Sequence, residues 1–315
     1  MEKKAIYRII EWAVALAACG YLVWRIATYE DYASLWASLQ AMGPWQYMAL
    51  AACVALMPVN MAVEAWKWVT LWNSAPQAKG EGLEVRGLSF AEAQRQVYYS
   101  KLAGLITPWR LGEYPARGFL IVESLEFRVE RSRIEDSRKE IMARVVALGA
   151  VGSATMTGAI LIAGMTAILF SPSVTSYIGD SYLYGVGILM LVGIVVISLM
   201  PTWLKRWAEV SHELVMVSLG QSVVRLACWC VQLALVIWAM GGLVDEGVSE
   251  LVAKCAVYYL LVTVTPNMPV AEAGVRGAWA IVVFGTMNAA LAGVVLWVVN
   301  TVLPCISWFF VKKHE

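Results

Sequence analysis

The sequence predicts an all-α, polytopic membrane helix bundle, and three observations carry that prediction. Of its 315 residues 60% are hydrophobic and 15% charged, with a mean hydropathy of +0.66, whereas a soluble domain averages about 25% charged residues. Apolar runs long enough to cross a hydrocarbon core of about 30 Å as helix recur along the chain. The loops between them are basic or mixed on one side and purely acidic on the other, as the preference of Lys and Arg for the cytoplasmic face requires. About six full spans and two re-entrant, broken-helix hairpins in an inverted-repeat arrangement account for the pattern. Together they form a single integral membrane domain, 1–315, with halves 1–140 and 141–315.

Lys3, Lys4 and Arg8 precede the first span, 9–27, and place the N-terminus inside, while Glu30 and Asp31 follow outside. The second span, 45–72, carries Asn60, Glu64 and Lys67 at spacings of four and three, hence on one helix face. Such a face turns into protein or a cavity; the alternative is that Lys67 snorkels to the cytoplasmic edge with Glu64 as its partner. Lys79 and Arg86 then belong inside. The stretch 123–140 alternates acids with Arg128, Arg131, Arg133, Arg138 and Lys139 and reads as a solvated helix or loop. The third span, 141–170, has Arg144 near its inner end, and the fourth is 182–200. In the fifth, 214–240, Gln221, Arg225 and Gln232 share a face. Arg225, alone among apolar neighbours, needs an anion, a cavity or a carboxylate such as Glu64 or Glu272. The last span, 277–302, delivers Lys312 and Lys313 inside, so both termini are cytoplasmic.

Two stretches break this regularity. Residues 107–118 read TPWRLGEYPARG and 265–277 read TPNMPVAEAGVRG; each has Thr-Pro, then Glu, then Arg four residues on, then Gly. The apolar stretches beside the first, 97–106 and 119–122, are too short to span. Backbone broken at membrane depth must be surrounded by protein or line a wet cavity. The segments 91–122 and 251–276 are therefore read as hairpins entering from opposite faces, with helix breaks at Thr107, Pro108, Thr265, Pro266 and Pro269. Thr107 and Thr265, each followed by Pro, have the form of N-caps for short helices. Paired Pro/Gly-interrupted segments in two halves are a pointer to a transporter's substrate site.

Glu113 with Arg117, and Glu272 with Arg276, stand in the favourable i,i+4 order and can neutralise one another. Arg110 has no such partner in the sequence and is the cation most available to a ligand. An arginine fork fits phosphate in bidentate geometry, and a lipid phosphate meets the demand for a polar path while its tails stay in lipid. The candidate substrate-binding residues are Arg110, Glu113, Arg117, Glu272, Arg276, Arg225, Glu64 and Lys67.

Other chemistry finds little support. His212 and His314 are the sole histidines, and the six cysteines lie in apolar stretches without C-x-x-C spacing, so neither a histidine triad nor a metal centre is expected. Leu16 to Cys19 has the form of a lipoprotein cleavage box, but Glu11 interrupts the apolar region before it and the run continues, so an uncleaved span is read instead. No phosphate-binding loop of the ATPase type occurs. Neither a catalytic role, a cofactor nor nucleic acid is expected.

Three segments carry a family resemblance. Glu64-Ala65-Trp66-Lys67-Trp68 resembles the basic-Trp signature that ends the second span of the family named for the transmembrane region of lysylphosphatidylglycerol synthase, the flippase-like integral membrane proteins. Ser100 through Thr107-Pro108-x-Arg110-x-Gly112-Glu113-x-x-x-Arg117 is similar to its Pro-x-Arg-x-Gly-Glu-x-x-Arg block. Thr265-Pro266-x-x-Pro269 through Gly274 stands where the family has a Pro- and Gly-rich segment with a glutamate, although Val270-Ala271 replaces the usual Gly-Gly and Asn300 stands near a common arginine. The resemblance implies movement of a headgroup-modified phospholipid or a polyprenyl-linked lipid between leaflets of a bacterial cytoplasmic (inner) membrane. Some members are fused to an aminoacyl transferase; the chain to Glu315 holds no stretch for one, so lipid aminoacylation is not expected. A lipid synthase partner and a homo-oligomer are compatible with this reading. The alternative is a non-transporting subunit, or an enzyme of lipid or glycan modification using the two glutamates as acid and base.

Overall fold

The computed structural model describes residues 39–75, 87–107, 110, 112–126, 131–170, 210–241, 247–265 and 271–311, with a few isolated positions before 39. Every regular element among them is helical: α1 (Pro44–Ser74), α2 (Phe90–Ile106), α3 (Glu113–Glu126), α4 (Arg131–Phe170), α5 (His212–Ala239), α6 (Val248–Val264), α7 (Glu272–Phe284), α8 (Met287–Trp297), a π-helical turn (Val298–Val302) and α9 (Leu303–Val311). Four helices are long and apolar enough to cross a membrane: α1, Arg138–Phe170 of α4, α5, and Met287–Trp308. The expected span 182–200, most of 9–27, and the expected break positions Pro108, Pro266 and Pro269 lie outside the described residues.

Polarity is arranged for lipid rather than water. Val54, Val146, Ile162, Leu169, Val223, Val231 and Trp238 are exposed on these helices, while Asn60, Glu64, Lys67, Gln221, Arg225 and Gln232 are buried. In water that distribution would expose apolar area and desolvate charge at the same time. In hydrocarbon it removes polar groups from the solvent that cannot hydrate them.

The described helices fall into two compact units interleaved in sequence. One comprises Met1–Pro58, Ile160–Leu189 and Ala227–Leu303; the other comprises Val59–Ala159, Met190–Leu226 and Pro304–Glu315. They are called here the first and second unit.

Local chemistry explains where the helices begin and end. Ser89 and Glu92 form a capping box at the start of α2, with the Ser89 Oγ accepting from the Glu92 N–H at 3.3 Å and Glu92 Oε2 accepting from the Ser89 N–H at 2.9 Å. Asn73, at the end of α1, holds the approach to that cap, its amide bonding both the N–H and the C=O of Leu88. α4 starts ten residues before the expected span, because 131–148 consists of helix-compatible residues without Gly or Pro to stop propagation. The mixed-charge stretch 131–140 is thus a helical extension of that span.

The last expected span, 277–302, is not one helix. Gly285 closes α7 in the left-handed conformation (φ 74°) and Thr286 caps α8, its Oγ1 accepting from the Ala289 N–H at 3.2 Å. The apolar residues from Gly277 to Phe284 therefore lengthen the second broken segment, and the span itself covers 287–308. Farther on, Pro304 has no N–H to give to the carbonyl four residues earlier. The turn just before it widens to π form, with the Leu303 N–H reaching Val298 O.

In the second unit α3 lies close on α4 because Gly149 has no side chain: a Cβ there would collide with the Tyr114 ring. Small residues permit such close approach between membrane helices. Gly149→Val should displace Tyr114 and destabilise the protein by about 1–3 kcal/mol, as overpacking commonly does. Thermal unfolding in detergent should show the loss, and an unchanged midpoint would mean the two helices are not in close contact.

Candidate functional site

The sequence marks the first broken segment, and the second unit shows what is built around it. α2 ends at Thr107, whose Oγ1 donates to Ala103 O at 2.9 Å and accepts from the Gly112 N–H at 2.9 Å. The same threonine thus closes one arm and holds the start of the other. Thr265 has the corresponding place in the first unit: it is the C-cap of α6, its Oγ1 donates to Leu261 O at 2.6 Å, and Trp279 Nε1 on α7 donates to it at 2.8 Å. Both threonines are therefore C-caps, not the N-caps expected from Thr-Pro. A residue before proline is driven out of the helical region, so the pair ends a helix more readily than it starts one. Glu113 and Glu272 are the first residues of the arms that follow, where a carboxylate is favoured by the helix N-terminus.

Around the first break the structure gathers side chains from four helices and the connecting turn. Glu64 on α1 is the central acceptor. Arg117 of α3 donates through Nη2 to Glu64 Oε1 at 2.8 Å, and Arg225 of α5 pairs through Nη1 with Glu64 Oε2. Lys67 Nζ stands 3.6 Å from Oε2. Arg225 also donates to Asn60 Oδ1 at 2.9 Å, so three residues of the polar α1 face are bound to α5. Of the two carboxylates considered for Arg225 in the sequence, it pairs with Glu64.

Lys67 does not snorkel. Its side chain is 4% exposed, and its ammonium donates to Gly152 O at 3.0 Å on α4 and to Ser222 Oγ at 3.3 Å on α5. Thr155 and Ser218 extend this hydroxyl group, their oxygens 2.9 Å apart.

Glu113 is held differently from the sequence expectation. Its close partner is Lys101 of α2, with Nζ donating to Oε2 at 2.7 Å, while Arg117 is 3.9 Å away. The i,i+4 pair is thus a secondary contact, because Glu64 and Ser100 Oγ draw the Arg117 guanidinium, the latter at 3.3 Å. Gly104 makes room: a Cβ there would lie 2.6 Å from Glu113 Cγ. Arg110, expected to lack a carboxylate partner, has Glu113 Oε1 at 3.8 Å. It is the most accessible of these cations, with its side chain 31% exposed. Its φ of 55° is the sole positive value among the described non-glycine residues, a conformation in which an L side chain is uncommon.

Aromatic groups line the same place. The Arg117 guanidinium lies 5.1 Å from the Trp68 ring centroid, and Trp68 Nε1 donates to Gln96 Oε1 at 2.7 Å. Tyr114 carries a ring 6.0 Å from Arg117 and its hydroxyl bonds to Ser153 of α4. Arg144, outside the cluster, donates to Trp72 O and Ala75 O at the end of α1.

In the first unit the i,i+4 pair is as expected. Arg276 donates through Nε and Nη2 to Glu272 Oε1 at 3.1 and 2.9 Å, and Trp297 Nε1 donates to Glu272 Oε2 at 3.3 Å. Six residues before the threonine, the first broken segment has Lys101 and the second has Tyr259, whose hydroxyl donates to Trp229 O at 3.0 Å. Asn300, in the π turn, donates to Gln232 Oε1, and Gln232 donates to Cys53 O. One carboxylate is matched by one guanidinium in this group.

The described residues hold no group of three or more His, Cys, Asp or Glu placed to bind a metal ion. The chain matches no protein-family model and no curated protein.

Sequence reasoning missed Lys101, which lies in a stretch read as apolar. The signal was present, since a lone cation in an apolar run is what singled out Arg225. The hydroxyls of Ser100, Thr155, Ser218 and Ser222 gave no sequence signal, because membrane helices use such residues freely. Glu64→Gln should be the more damaging neutralisation of the two clusters. It leaves Arg117, Arg225 and Lys67 facing an amide, and breaking a buried ion pair on one side costs about 3–5 kcal/mol. Denaturation in detergent should show a larger loss for Glu64→Gln than for Glu272→Gln; equal losses would mean the Glu64 cluster is solvated.

Proposed function

We propose that the chain is a flippase-like protein that moves an anionic or headgroup-modified lipid, phospho- or polyprenyl-linked, between leaflets of a bacterial cytoplasmic membrane. In this reading it belongs with the transmembrane region of lysylphosphatidylglycerol synthase, has about six spans with two re-entrant hairpins in inverted arrangement, and keeps both termini inside. Its substrate is a membrane phospholipid or lipid-linked molecule, and a lipid synthase is its natural partner.

The observation that carries the reading is the convergence of Lys67, Lys101, Arg110, Arg117 and Arg225 on Glu64 and Glu113 at the first broken segment. Ionisable groups gathered at membrane depth mark a polar path or a substrate site, and guanidinium and ammonium donors brought to one place suit an anionic headgroup. Arg110 is the reading's first contact with a headgroup, since it stands at the broken backbone and is the most accessible cation of the set. The exposed apolar helix faces leave acyl or polyprenyl tails in lipid while the headgroup is inside.

Arg110→Ala should lower lipid movement by roughly 10- to 100-fold, the equivalent of a charge-assisted hydrogen bond of about 1.5–3 kcal/mol. The check is a leaflet assay in proteoliposomes with fluorescent anionic and neutral phospholipids, at equal reconstitution of wild type and variant. A folded wild type that moves none of these lipids would sink the transport reading.

A further inference from the structure

Glu64, Glu113 and Glu272 are the buried carboxylates among the described residues, and their hydrogen bonding differs. Glu64 gives one oxygen to Arg117 and the other to Arg225. Glu272 gives one to Arg276 and the other to the Trp297 indole. Glu113 accepts from Lys101 at Oε2 alone; its Oε1 takes no hydrogen bond among the described residues, with Arg110 Nη1 at 3.8 Å. We propose that Glu113 binds a coupling proton at this oxygen when an anionic headgroup binds the Lys101 ammonium, so that the two enter the site together. The inference rests on the lipid-movement reading above.

The Lys101 end of the pair is equally incomplete. Its side chain is 5% exposed, and of the three donors of an ammonium one is used among the described residues. Lys67 is the contrast, since it donates to Gly152 O and to Ser222 Oγ, with Glu64 at 3.6 Å. Buried donors without an acceptor are costly, and phosphate oxygens are acceptors. Lys101 therefore offers an anion donors that no described protein group occupies. The pair also spans the break: Lys101 stands on α2 and Glu113 opens α3. Gly104 leaves the room in which Glu113 Oε1 lies, 2.8 Å from where a Cβ would be. In the second broken segment Tyr259 has the register of Lys101, so the same pairing is not built there.

An anion at Lys101 stands beside the Glu113 carboxylate, and a like charge at close range favours proton uptake by a carboxylate. The proton comes from water at the turn, where the Arg110 side chain is 31% exposed and that of Glu113 10%. An O–H bond forms at Oε1, while Lys101 keeps its protons and its charge. When the headgroup leaves, the proton returns to water and the ion pair is restored; no electrons move. Arg110, Arg117 and Tyr114 lie around Glu113. Glu64 and Lys67 of α1, Arg225 of α5 and Cys305 of α9 lie around Lys101. The guanidiniums attract the carboxylate form, which is why the proton enters with the anion and not ahead of it. Acidic groups inside membrane proteins serve as such proton relays.

The test is calorimetric titration of the unaltered full chain in detergent with short-chain phosphatidylglycerol, whose phosphodiester keeps its single negative charge near neutral pH. Phosphatidylcholine is the zwitterionic control. Titrations at pH 7 in two buffers of different ionisation enthalpy count the protons taken up on binding. Phosphatidylglycerol should bring roughly one proton, and its affinity should rise several-fold from pH 8 to pH 6, because the state that binds more protons is favoured as pH falls. Infrared difference spectra of the unaltered chain should show the carbonyl band of a newly protonated carboxyl on binding. Glu113→Gln should lose both the band and the uptake. Binding of phosphatidylglycerol without proton uptake overturns the coupled proton and leaves the anionic-lipid reading intact. Uptake without the carboxyl band, or uptake retained by a folded Glu113→Gln, overturns Glu113 as the acceptor. The same uptake with phosphatidylcholine overturns the link to an anion. No binding of phosphatidylglycerol overturns both readings.

Discussion

The shared carboxylate of Glu64 is the interaction on which the second unit depends. Arg117 takes one of its oxygens and Arg225 the other, with Lys67 beside them, so α1, α3 and α5 are joined through a single acid. None of these cations could be buried in a membrane without such a partner, and no one partner neutralises all of them. Hydroxyl and carbonyl oxygens of Ser100, Gly152 and Ser222 accept further hydrogen bonds from Arg117 and Lys67.

The two broken segments follow one local rule with different electrostatic outcomes. In each, a threonine ends the first arm, bonds back to the carbonyl four residues earlier, and accepts a donor from the second segment; in each, a glutamate opens the second arm. The difference lies on the first arm, where Lys101 of one corresponds in register to Tyr259 of the other. Glu113 is consequently drawn to a lysine and Arg117 is released to Glu64. Glu272 keeps Arg276, supported by Trp297. One difference in register thus accompanies two pairing patterns, a cluster of several cations around Glu64 and Glu113 and a single Glu272–Arg276 pair.

Much of this was legible in the sequence by periodicity and charge. The polar face of α1, the isolated Arg225 and the two Thr-Pro breaks are all properties of spacing and composition, and helices obey spacing closely. The break at Gly285-Thr286 was also legible in kind, since Gly favours the left-handed cap and Thr the N-cap, but an apolar run on both sides masked it. Charged residues at 123–140 read as a solvated helix or loop, and over 131–140 the helical alternative is the one formed, continuous with the following span.

What the sequence determined by itself is the helical, membrane-suited architecture and nearly all of the titratable residues that belong to the cluster, because hydrophobicity and residue spacing act locally along the chain. What the tertiary structure decided is the pairing. Arg117 lies four residues from Glu113 yet binds Glu64, 53 positions away, and Lys101 takes Glu113 across the break. Electrostatic energy depends on distance in space and on which competitors are within reach, and neither quantity is written in the spacing of any one helix. The convergence of cations on Glu64 and Glu113 exists only once those helices meet.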